Sequence, residues 1–291
     1  MHLDTEFLKT LERLRFASAR ARAGGGRGDR RGRHRGRGLE FADHRPYAQG
    51  DDFRHIDWKA YRRIGRLLVR LFDEEQDLSV YLFLDRSRSM AAHGKFELAV
   101  RLAAALCYIG VAHLDRVSIL PFADRMDNET STGHVRATMA GVLKALDALT
   151  PDGRTDLWRS IQDFCGRSRR QGLVILLSDF LDPDGIERGL ALLSARGHDV
   201  VAVHIRAGAD RDGPSAADDG EAVLVDAETG VERRILVSPA LLAAHAVAWR
   251  DFDGAVSVAC ARTQAQYLAV DSERPVEEIV LATLRDGRFL R

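Results

Sequence analysis

Oxygen-bearing side chains follow an apolar run of the chain at every second residue. The run Leu78–Leu84 is almost wholly apolar, and Asp85, Ser87 and Ser89 come directly after it. Such a run is typical of a strand that is buried on both faces in a parallel sheet. Mg²⁺ prefers oxygen ligands and keeps several bound waters, for which one carboxylate and two hydroxyls leave room. The pattern therefore indicates a site for Mg²⁺ or Mn²⁺. The alternative is a polar loop that caps the next helix.

Two polar residues later in the chain also lie where a predicted strand ends or a predicted helix begins. Thr155 lies in the turn 153–156 just before a predicted helix, and Asp179 follows the strongly apolar run Leu173–Leu177. In doubly wound sheets, ligands bind at the carboxyl ends of the strands, where the strand order reverses. A strand-end Asp or a turn Thr is also common as a simple cap. Taken with Asp85, Ser87 and Ser89, however, Thr155 and Asp179 predict one metal site with five ligands.

The elements that must position these residues alternate between strand and helix. Apolar runs predict strands near residues 78–84, 116–122, 172–178, 198–205 and 266–270. Helical spacing of apolar residues predicts helices over 96–114, 140–149, 157–167, 185–195, 239–252, 254–265 and 276–285, with Asp184 as a cap, and a hairpin is predicted over 222–237. The alternation predicts an α/β fold, a doubly wound and mainly parallel sheet with helices on both faces. Residues 77–291 are assigned to this domain.

The first 76 residues differ in character from the rest. A helix is predicted over Asp4–Ala23 within residues 1–23, and a flexible Arg/Gly-rich loop over 24–38. Residues 39–76 are rich in aromatic side chains and paired charges, and we expect Leu39–Phe72 to pack onto the main domain. This stretch contains a set of residues that could be catalytic or could form a structural network of ion pairs, of which the second is favoured. They are His44, Asp51, Asp52, His55 and Asp57.

Composition excludes several classes of protein. Lys plus Arg equals Asp plus Glu at 43 each, so no net charge draws the whole chain to nucleic acid or membrane. No apolar run approaches the length of about 20 residues that spans a bilayer. The three cysteines lack zinc or redox spacing, which favours a reducing cytoplasmic compartment. Between Arg20 and Arg37, however, there are eight arginines. A nucleic-acid contact through this run is one alternative function.

The five predicted ligands resemble the metal-ion-dependent adhesion site of von Willebrand factor A domains. In that family, an Asp-x-Ser-x-Ser motif follows the first strand, and a Thr and an Asp follow later. Asp85, Ser87, Ser89, Thr155 and Asp179 match the whole pattern. The resemblance implies that Ser87, Ser89 and, in some states, Thr155 bind the ion directly. It implies that Asp85 and Asp179 act directly or through water. Because most ligands are uncharged, the ion would favour a carboxylate from a partner.

A longer resemblance involves the segment before this site and covers the chain from about Leu8 onward. The chain is similar to the domain of unknown function 58 family. The similarity lies in motifs at residues 39–41, 45–47, 50–52, 54–58, 72–75, 177–182 and 197–200. Members of this family are often encoded beside MoxR-type AAA+ ATPases, and many carry transmembrane helices ahead of this region. The resemblance implies a non-enzymatic binding module whose partner is such an ATPase or its client protein. A divalent-metal-dependent hydrolase is the other alternative, but no nucleophile, zinc or Walker motif supports it.

Overall fold

The chain forms two compact units. One contains Met1–Ser18 together with Leu78–Arg291, and the other contains Ala19–Asp77. The computed structural model describes residues 4–17, 40–48, 51, 53, 56–73, 78–127, 130–131, 139–167, 169–213, 220–284 and 289–290. The larger unit contains all five residues that the sequence predicts as metal ligands.

The secondary structure alternates as the sequence predicts. The strands are β1 (Glu40–Pro46), β2 (Leu68–Asp73), β3 (Ser79–Asp85), β4 (Arg116–Phe122), β5 (Thr130–Ser131), β6 (Leu173–Ser178), β7 (Asp199–Arg206), β8 (Glu221–Val225), β9 (Glu232–Leu236) and β10 (Gln266–Asp271). The helices are α1 (Thr5–Leu11), α2 (Trp58–Ile64), α3 (Lys95–Ala112), α4 (Met139–Asp147), α5 (Leu157–Gly166), α6 (Pro183–Ala195), α7 (Gly208–Asp212), α8 (Pro239–Arg262) and α9 (Val276–Glu278). A 3₁₀ turn covers Arg88–Ala91, and a π-helical segment, Ile279–Leu284, continues α9.

A six-stranded sheet in the order β10-β7-β6-β3-β4-β5 organises the larger unit. Its five long strands are parallel, and the two-residue strand β5 pairs antiparallel with β4. The chain passes from β3 to β4 on one side and later returns to β6 on the other. The strand order therefore reverses at β3, where doubly wound sheets bind ligands. The predicted fold class is confirmed.

The central strands explain why the sheet is covered on both faces. Along β3, Val80, Leu82 and Leu84 pack into one apolar cluster, whereas Tyr81 and Phe83 pack into another. Alternate residues of a strand point to opposite faces, so each cluster lies on one side of the sheet. All the residues of β3 and β6 are buried. This arrangement holds the carboxyl ends of the two strands rigidly side by side.

The smaller unit contains an antiparallel pair and one short helix. Strands β1 and β2 pair with an irregularity between Phe41 and Asp43. Helix α2 lies between them in the chain, and the Asp57 side chain caps it by accepting hydrogen bonds from the backbone N–H groups of Lys59 and Ala60. The helix ends at Gly65, whose φ of 66° is a left-handed conformation that suits glycine.

Several predicted boundaries differ from the structure. The first helix ends at Leu11, because Leu14 and Phe16 are drawn into the core and Phe16 bridges to Leu290. Residues 18–23 lie outside the described residues. Helix α6 is capped by Asp182, not Asp184, since a proline occupies its first turn. The two helices predicted over 239–265 are the single helix α8. Within the described ranges, no helix has both the length and the apolar character that crossing a membrane requires.

Candidate metal centre

Asp85 is the last residue of β3 and is completely buried. Its Oδ1 accepts a hydrogen bond from the Ser87 backbone N–H (2.9 Å), and its Oδ2 accepts one from the Ser178 hydroxyl (2.5 Å). The Ser178 oxygen in turn accepts from the Phe180 N–H (2.9 Å). Burial, and next the negative charge of Asp179, raise the pKa of Asp85 to about 7. A cation bound beside such a carboxylate would favour its charged form.

Ser87, Ser89 and Asp179 continue the network from Asp85. The hydroxyls of Ser87 and Ser89 are 3.0 Å apart, and Ser89 Oγ donates to Asp179 Oδ1 at 3.3 Å. All three side chains are buried. The 3₁₀ turn after β3 brings the two serines together, and Phe180 adopts a φ of 54° directly after Asp179. A positive φ in a bulky residue is strained, and such residues are frequent at functional sites.

A buried lysine is part of the same cluster. Lys95, the first residue of α3, has a side chain that is only 2% exposed, and its Nζ donates to Asp179 Oδ2 (2.8 Å) and to Asp210 Oδ2 (2.9 Å). Burial alone would lower the pKa of Lys95, but the charges and hydrogen bonds of Asp179 and Asp210 outweigh it and raise the pKa. The sequence interpretation missed Lys95 and Asp210 as members of the site. Lys95 directly precedes the helix predicted over 96–114 and Asp210 follows the strand predicted over 198–205, and neither position by itself indicates a buried ion pair.

Thr155 lies on the neighbouring loop and bonds to a different group. Its backbone N–H and its hydroxyl both donate to Glu228 Oε1 at 3.0 Å. The loop is tied to the turn after β3, since the Arg88 N–H donates to the Gly153 carbonyl oxygen at 3.1 Å. Four of the five predicted ligands thus form one hydrogen-bonded cluster. The fifth is on an adjoining loop, where it contacts a glutamate that the sequence interpretation did not select.

The chemistry of this donor set fits a hard divalent cation. The side chains offer only hydroxyl and carboxylate oxygens, which are the ligands that Mg²⁺ prefers. The three carboxylates of Asp85, Asp179 and Asp210 carry one charge each when ionised, and Lys95 compensates one of them. Because Lys95 contacts both Asp179 and Asp210, a divalent cation would face the charge of Asp85 and only part of the charge of Asp179. Among the described residues, no group of three or more His, Cys, Asp or Glu side chains is placed to hold a metal. The oxygen cluster around Asp85 is of another kind, because hydroxyls form much of it.

Three residues of the smaller unit that the sequence offered either as catalytic or as structural make ion-pair and capping contacts. His44 Nε2 lies 2.9 Å from Asp57 Oδ2, and the same Asp57 caps α2. Arg45 holds Asp51 through two hydrogen bonds of 2.6 and 2.7 Å. The structural interpretation is therefore supported for these residues. Asp52 and His55 lie outside the described residues.

The sequence matches a known protein family over residues 43–250, through a model described as protein of unknown function DUF58. The chain belongs to the DUF58 family. The uncharacterized protein Rv1480 of Mycobacterium tuberculosis H37Rv is 32% identical over 222 residues, which cover 74% of this DUF58 chain and 68% of the relative. The uncharacterized protein MAV169 of Mycobacterium avium is 38% identical over 88 residues, which cover 30% of the DUF58 chain and 50% of the relative.

Solved structures show distant likenesses to the DUF58 chain. An aerotolerance-related membrane protein from Bacteroides fragilis is 15% identical with a TM-score of 0.43, covering 72% of this chain and 98% of that one. The pilus adhesin SpaC from Lactobacillus rhamnosus GG is 12% identical with a TM-score of 0.44, covering 74% of this chain and 31% of that one. At these values, neither structure says anything about the function of the DUF58 chain.

Proposed function

We propose that this DUF58 chain is a protein-binding module that uses Mg²⁺ or Mn²⁺ at the carboxyl end of its sheet. The observation that carries the proposal is the convergence of buried oxygens where the strand order reverses. Asp85, Ser87, Ser89 and Asp179 join through hydrogen bonds into one cluster. Buried polar clusters are costly to maintain, so one that exceeds the needs of capping supports a binding role.

Each residue has a distinct role in this proposal. The hydroxyls of Ser87 and Ser89 and the carboxylates of Asp85 and Asp179 hold the ion, and Thr155 joins them from its loop. Lys95 already neutralises part of the charge of Asp179. The bound ion therefore remains incompletely neutralised, and it supplies an electrophilic centre that attracts a carboxylate from a partner protein.

The groups around the site support binding rather than catalysis. Both oxygens of Asp85 are engaged by Ser87 and Ser178. Away from the site, burial in the apolar core raises the pKa of Cys107 to about 12 and that of Cys260 to about 11, so neither thiol forms a thiolate nucleophile near neutral pH. We therefore propose that the module is not an enzyme.

The partner class rests on the family resemblance. A MoxR-type AAA+ ATPase, or a client protein of that ATPase, would present an acidic side chain to the ion. The module would then act as an adaptor in the assembly or maturation of a complex, in the bacterial cytoplasm. This assignment is an inference by association, since a fold alone does not define a function.

The first experiment measures the cation. Mn²⁺ is titrated into the protein and followed by electron paramagnetic resonance, with Mg²⁺ as competitor. We expect saturable binding that weakens at least about tenfold in Asp85→Asn, because each unit change in log affinity needs only about 1.4 kcal/mol. Asp163→Asn, an exposed change on α5, is the matched control and should bind as the parent does. Equal affinity in all three proteins would contradict the proposed site.

The second experiment measures the partner. A MoxR-type ATPase from the same genome is recovered on the immobilised protein in Mg²⁺ and in EDTA. We expect recovery in Mg²⁺ only, and little recovery by Asp85→Asn in either buffer. Equal recovery in both buffers and by both proteins would mean that the cation face is not the binding surface.

A further inference from the structure

The hairpin formed by β8 and β9 is not held in place by an apolar core. Its side chains are mostly exposed, and the exposed fractions of Val225 (58%) and Leu236 (67%) are among the largest for apolar residues. The two strands pair with each other but not with the main sheet. The position of the hairpin therefore depends on other contacts, and those at its tip are polar.

The tip of the hairpin reaches the candidate metal centre. Glu228 Oε1 accepts hydrogen bonds from both the N–H and the hydroxyl of Thr155, each at 3.0 Å. Glu228 Oε2 lies 3.5 Å from Arg154 Nε, and the Glu228 carbonyl oxygen accepts from Arg88 at 3.5 Å. The carboxylate is only 20% exposed, although the hairpin around it is open to solvent.

The turn is shaped to present this carboxylate. Asp226 Oδ1 accepts hydrogen bonds from the N–H groups of Glu228 (3.0 Å) and Thr229 (2.6 Å), and Gly230 takes a φ of 71°. These bonds, chiefly those with Thr229, lower the pKa of Asp226 and keep it an acceptor. Glu228 is thus oriented by its own turn before it meets Thr155, which reduces the entropy lost on docking.

We propose that Glu228 is a built-in ligand of the cation site, which holds the place of an acidic side chain from a partner. A partner then binds by displacing the hairpin tip. The inference rests on the proposed function, because it assumes the cation. Thr155, the one predicted ligand outside the buried cluster, is the residue that Glu228 engages. A carboxylate that accepts from this hydroxyl is held directly beside one of the proposed ligands of the ion.

The surroundings indicate which partner would compete. Arg154 and Arg88 have side chains that are 69% and 54% exposed, and both contact the hairpin tip. When Glu228 leaves, Arg154 loses its carboxylate partner on the tip and can pair with another acidic group. The competing ligand is therefore an acidic peptide segment, in which one carboxylate takes the ion and its neighbours meet the arginines.

The test compares two alanine variants of the same hairpin. Glu228→Ala removes the docked carboxylate. Glu232→Ala removes an exposed carboxylate in β9 and is the matched control. A fluorescein-labelled hexaglutamate peptide is titrated in Mn²⁺ and in EDTA and followed by anisotropy, and only the Mn²⁺-dependent binding is compared. We expect Glu228→Ala to bind about tenfold more tightly than the parent, because the internal competitor is gone. Glu232→Ala should match the parent.

A second readout does not need the peptide. Hydrogen exchange at the Thr155 amide and across residues 221–236 should become faster in Glu228→Ala and stay unchanged in Glu232→Ala. Glu228→Gln keeps an acceptor oxygen but not the charge. Its affinity for the peptide should lie between the affinities of Glu228→Ala and Glu232→Ala.

The outcomes separate this inference from the proposed function. If Mn²⁺ binds to no variant, the proposed function itself fails. If Mn²⁺ binds but Glu228→Ala takes up the peptide no better than Glu232→Ala, or not at all, the built-in ligand is refuted and the cation site stands. Unchanged exchange at Thr155 in Glu228→Ala would also overturn the inference.

Discussion

Lys95 is the residue on which the charge balance of the site depends. It is buried, and its ammonium group bonds to Asp179 at 2.8 Å and to Asp210 at 2.9 Å. Removing one partner of a buried ion pair leaves the other charge uncompensated, which costs more than the pair itself contributes. The lysine thus stabilises a cluster of carboxylates that would otherwise repel one another.

Replacing this lysine tests that role. In EDTA, we expect Lys95→Met to lower the free energy of unfolding by about 3–5 kcal/mol, the usual cost of breaking a buried pair. Millimolar Mg²⁺ should restore part of the loss, because the cation takes over the compensation of Asp179. Lys144→Met, an exposed change on α4, is the control and should have little effect. A loss in Lys95→Met no larger than in this control would disprove the charge-balance role.

His204 is a second buried group, and its ionisation affects stability. Burial, and then the positive charge of Arg206, lower the pKa of His204 to about 3, and its Nδ1 lies 2.9 Å from the Tyr267 hydroxyl oxygen. In the unfolded chain, histidine has a pKa of about 6.5. The unfolded state therefore takes up a proton first as the pH falls. The stability contributed by the neutral ring is complete above about pH 6.5 and is lost as the pH falls toward 3.

Denaturant unfolding in EDTA at about pH 7.5 and about pH 5.5 measures this effect. At one pH unit below the pKa of histidine in the unfolded chain, protonation of the unfolded state lowers the free energy of unfolding by about 1.4 kcal/mol. We expect the parent to lose about that much more stability than His204→Gln over this interval. The difference between the two proteins removes the contributions of other titrating groups. Parallel pH profiles for both would show that His204 takes up its proton with an ordinary pKa.

At the scale of secondary-structure elements, the pairing register of β3 and β6 determines where the oxygen-bearing side chains at their carboxyl ends meet. Gly172 precedes β6, and a Cβ atom at this residue would lie 2.1 Å from the carbonyl oxygen of Ser79 in β3. Only glycine permits this close approach of the two backbones. The approach continues along the paired strands, at whose ends Asp85 and Ser178 form their hydrogen bond.

A methyl group at this glycine should therefore separate the two strands. We expect Gly172→Ala to destabilise the protein by about 1–3 kcal/mol, as overpacking does, and to weaken Mn²⁺ binding. Gly254→Ala, in the middle of α8, where an added Cβ would meet no described heavy atom within 4 Å beyond its chain neighbours and its own helix backbone, should instead stabilise by about 0.5–1 kcal/mol. Thermal unfolding of both variants checks the prediction, and equal behaviour would disprove the steric argument.

At the scale of the whole molecule, the proposed cation site predicts that the ion stabilises the folded state. A ligand that binds only the native state stabilises it by about 2.7 kcal/mol when its free concentration is 100 times its Kd. We expect millimolar Mg²⁺ to raise the unfolding midpoint of the parent over that in EDTA at equal ionic strength. Asp85→Asn should lose this shift. A shift of the same size in both proteins would place the stabilising ion elsewhere.

Much of the fold and of the candidate site was predictable because the signals are local. Alternation of buried strands with helices is visible in the sequence, and it predicts a parallel sheet that is doubly wound. Asp85, Ser87 and Ser89 lie within five consecutive residues, so their spacing is visible in the sequence. Boundaries were less predictable. Helix α1 stops at Leu11 because tertiary contacts of Phe16 with Leu290 outweigh its helical pattern.

By itself, the sequence determined which strand ends carry oxygen-bearing side chains. Only the tertiary structure decided what those side chains touch. Lys95 and Asp210 are 115 residues apart, and Thr155 and Glu228 are 73 apart. Pairs of this kind have no periodicity in the chain, because a hydrogen bond or an ion pair depends on distance in space. The pairing of Glu228 with Thr155 depends on the fold, which brings the hairpin tip to the loop that carries Thr155. For this reason, the contact between Glu228 and Thr155 could be recognised only in the folded molecule.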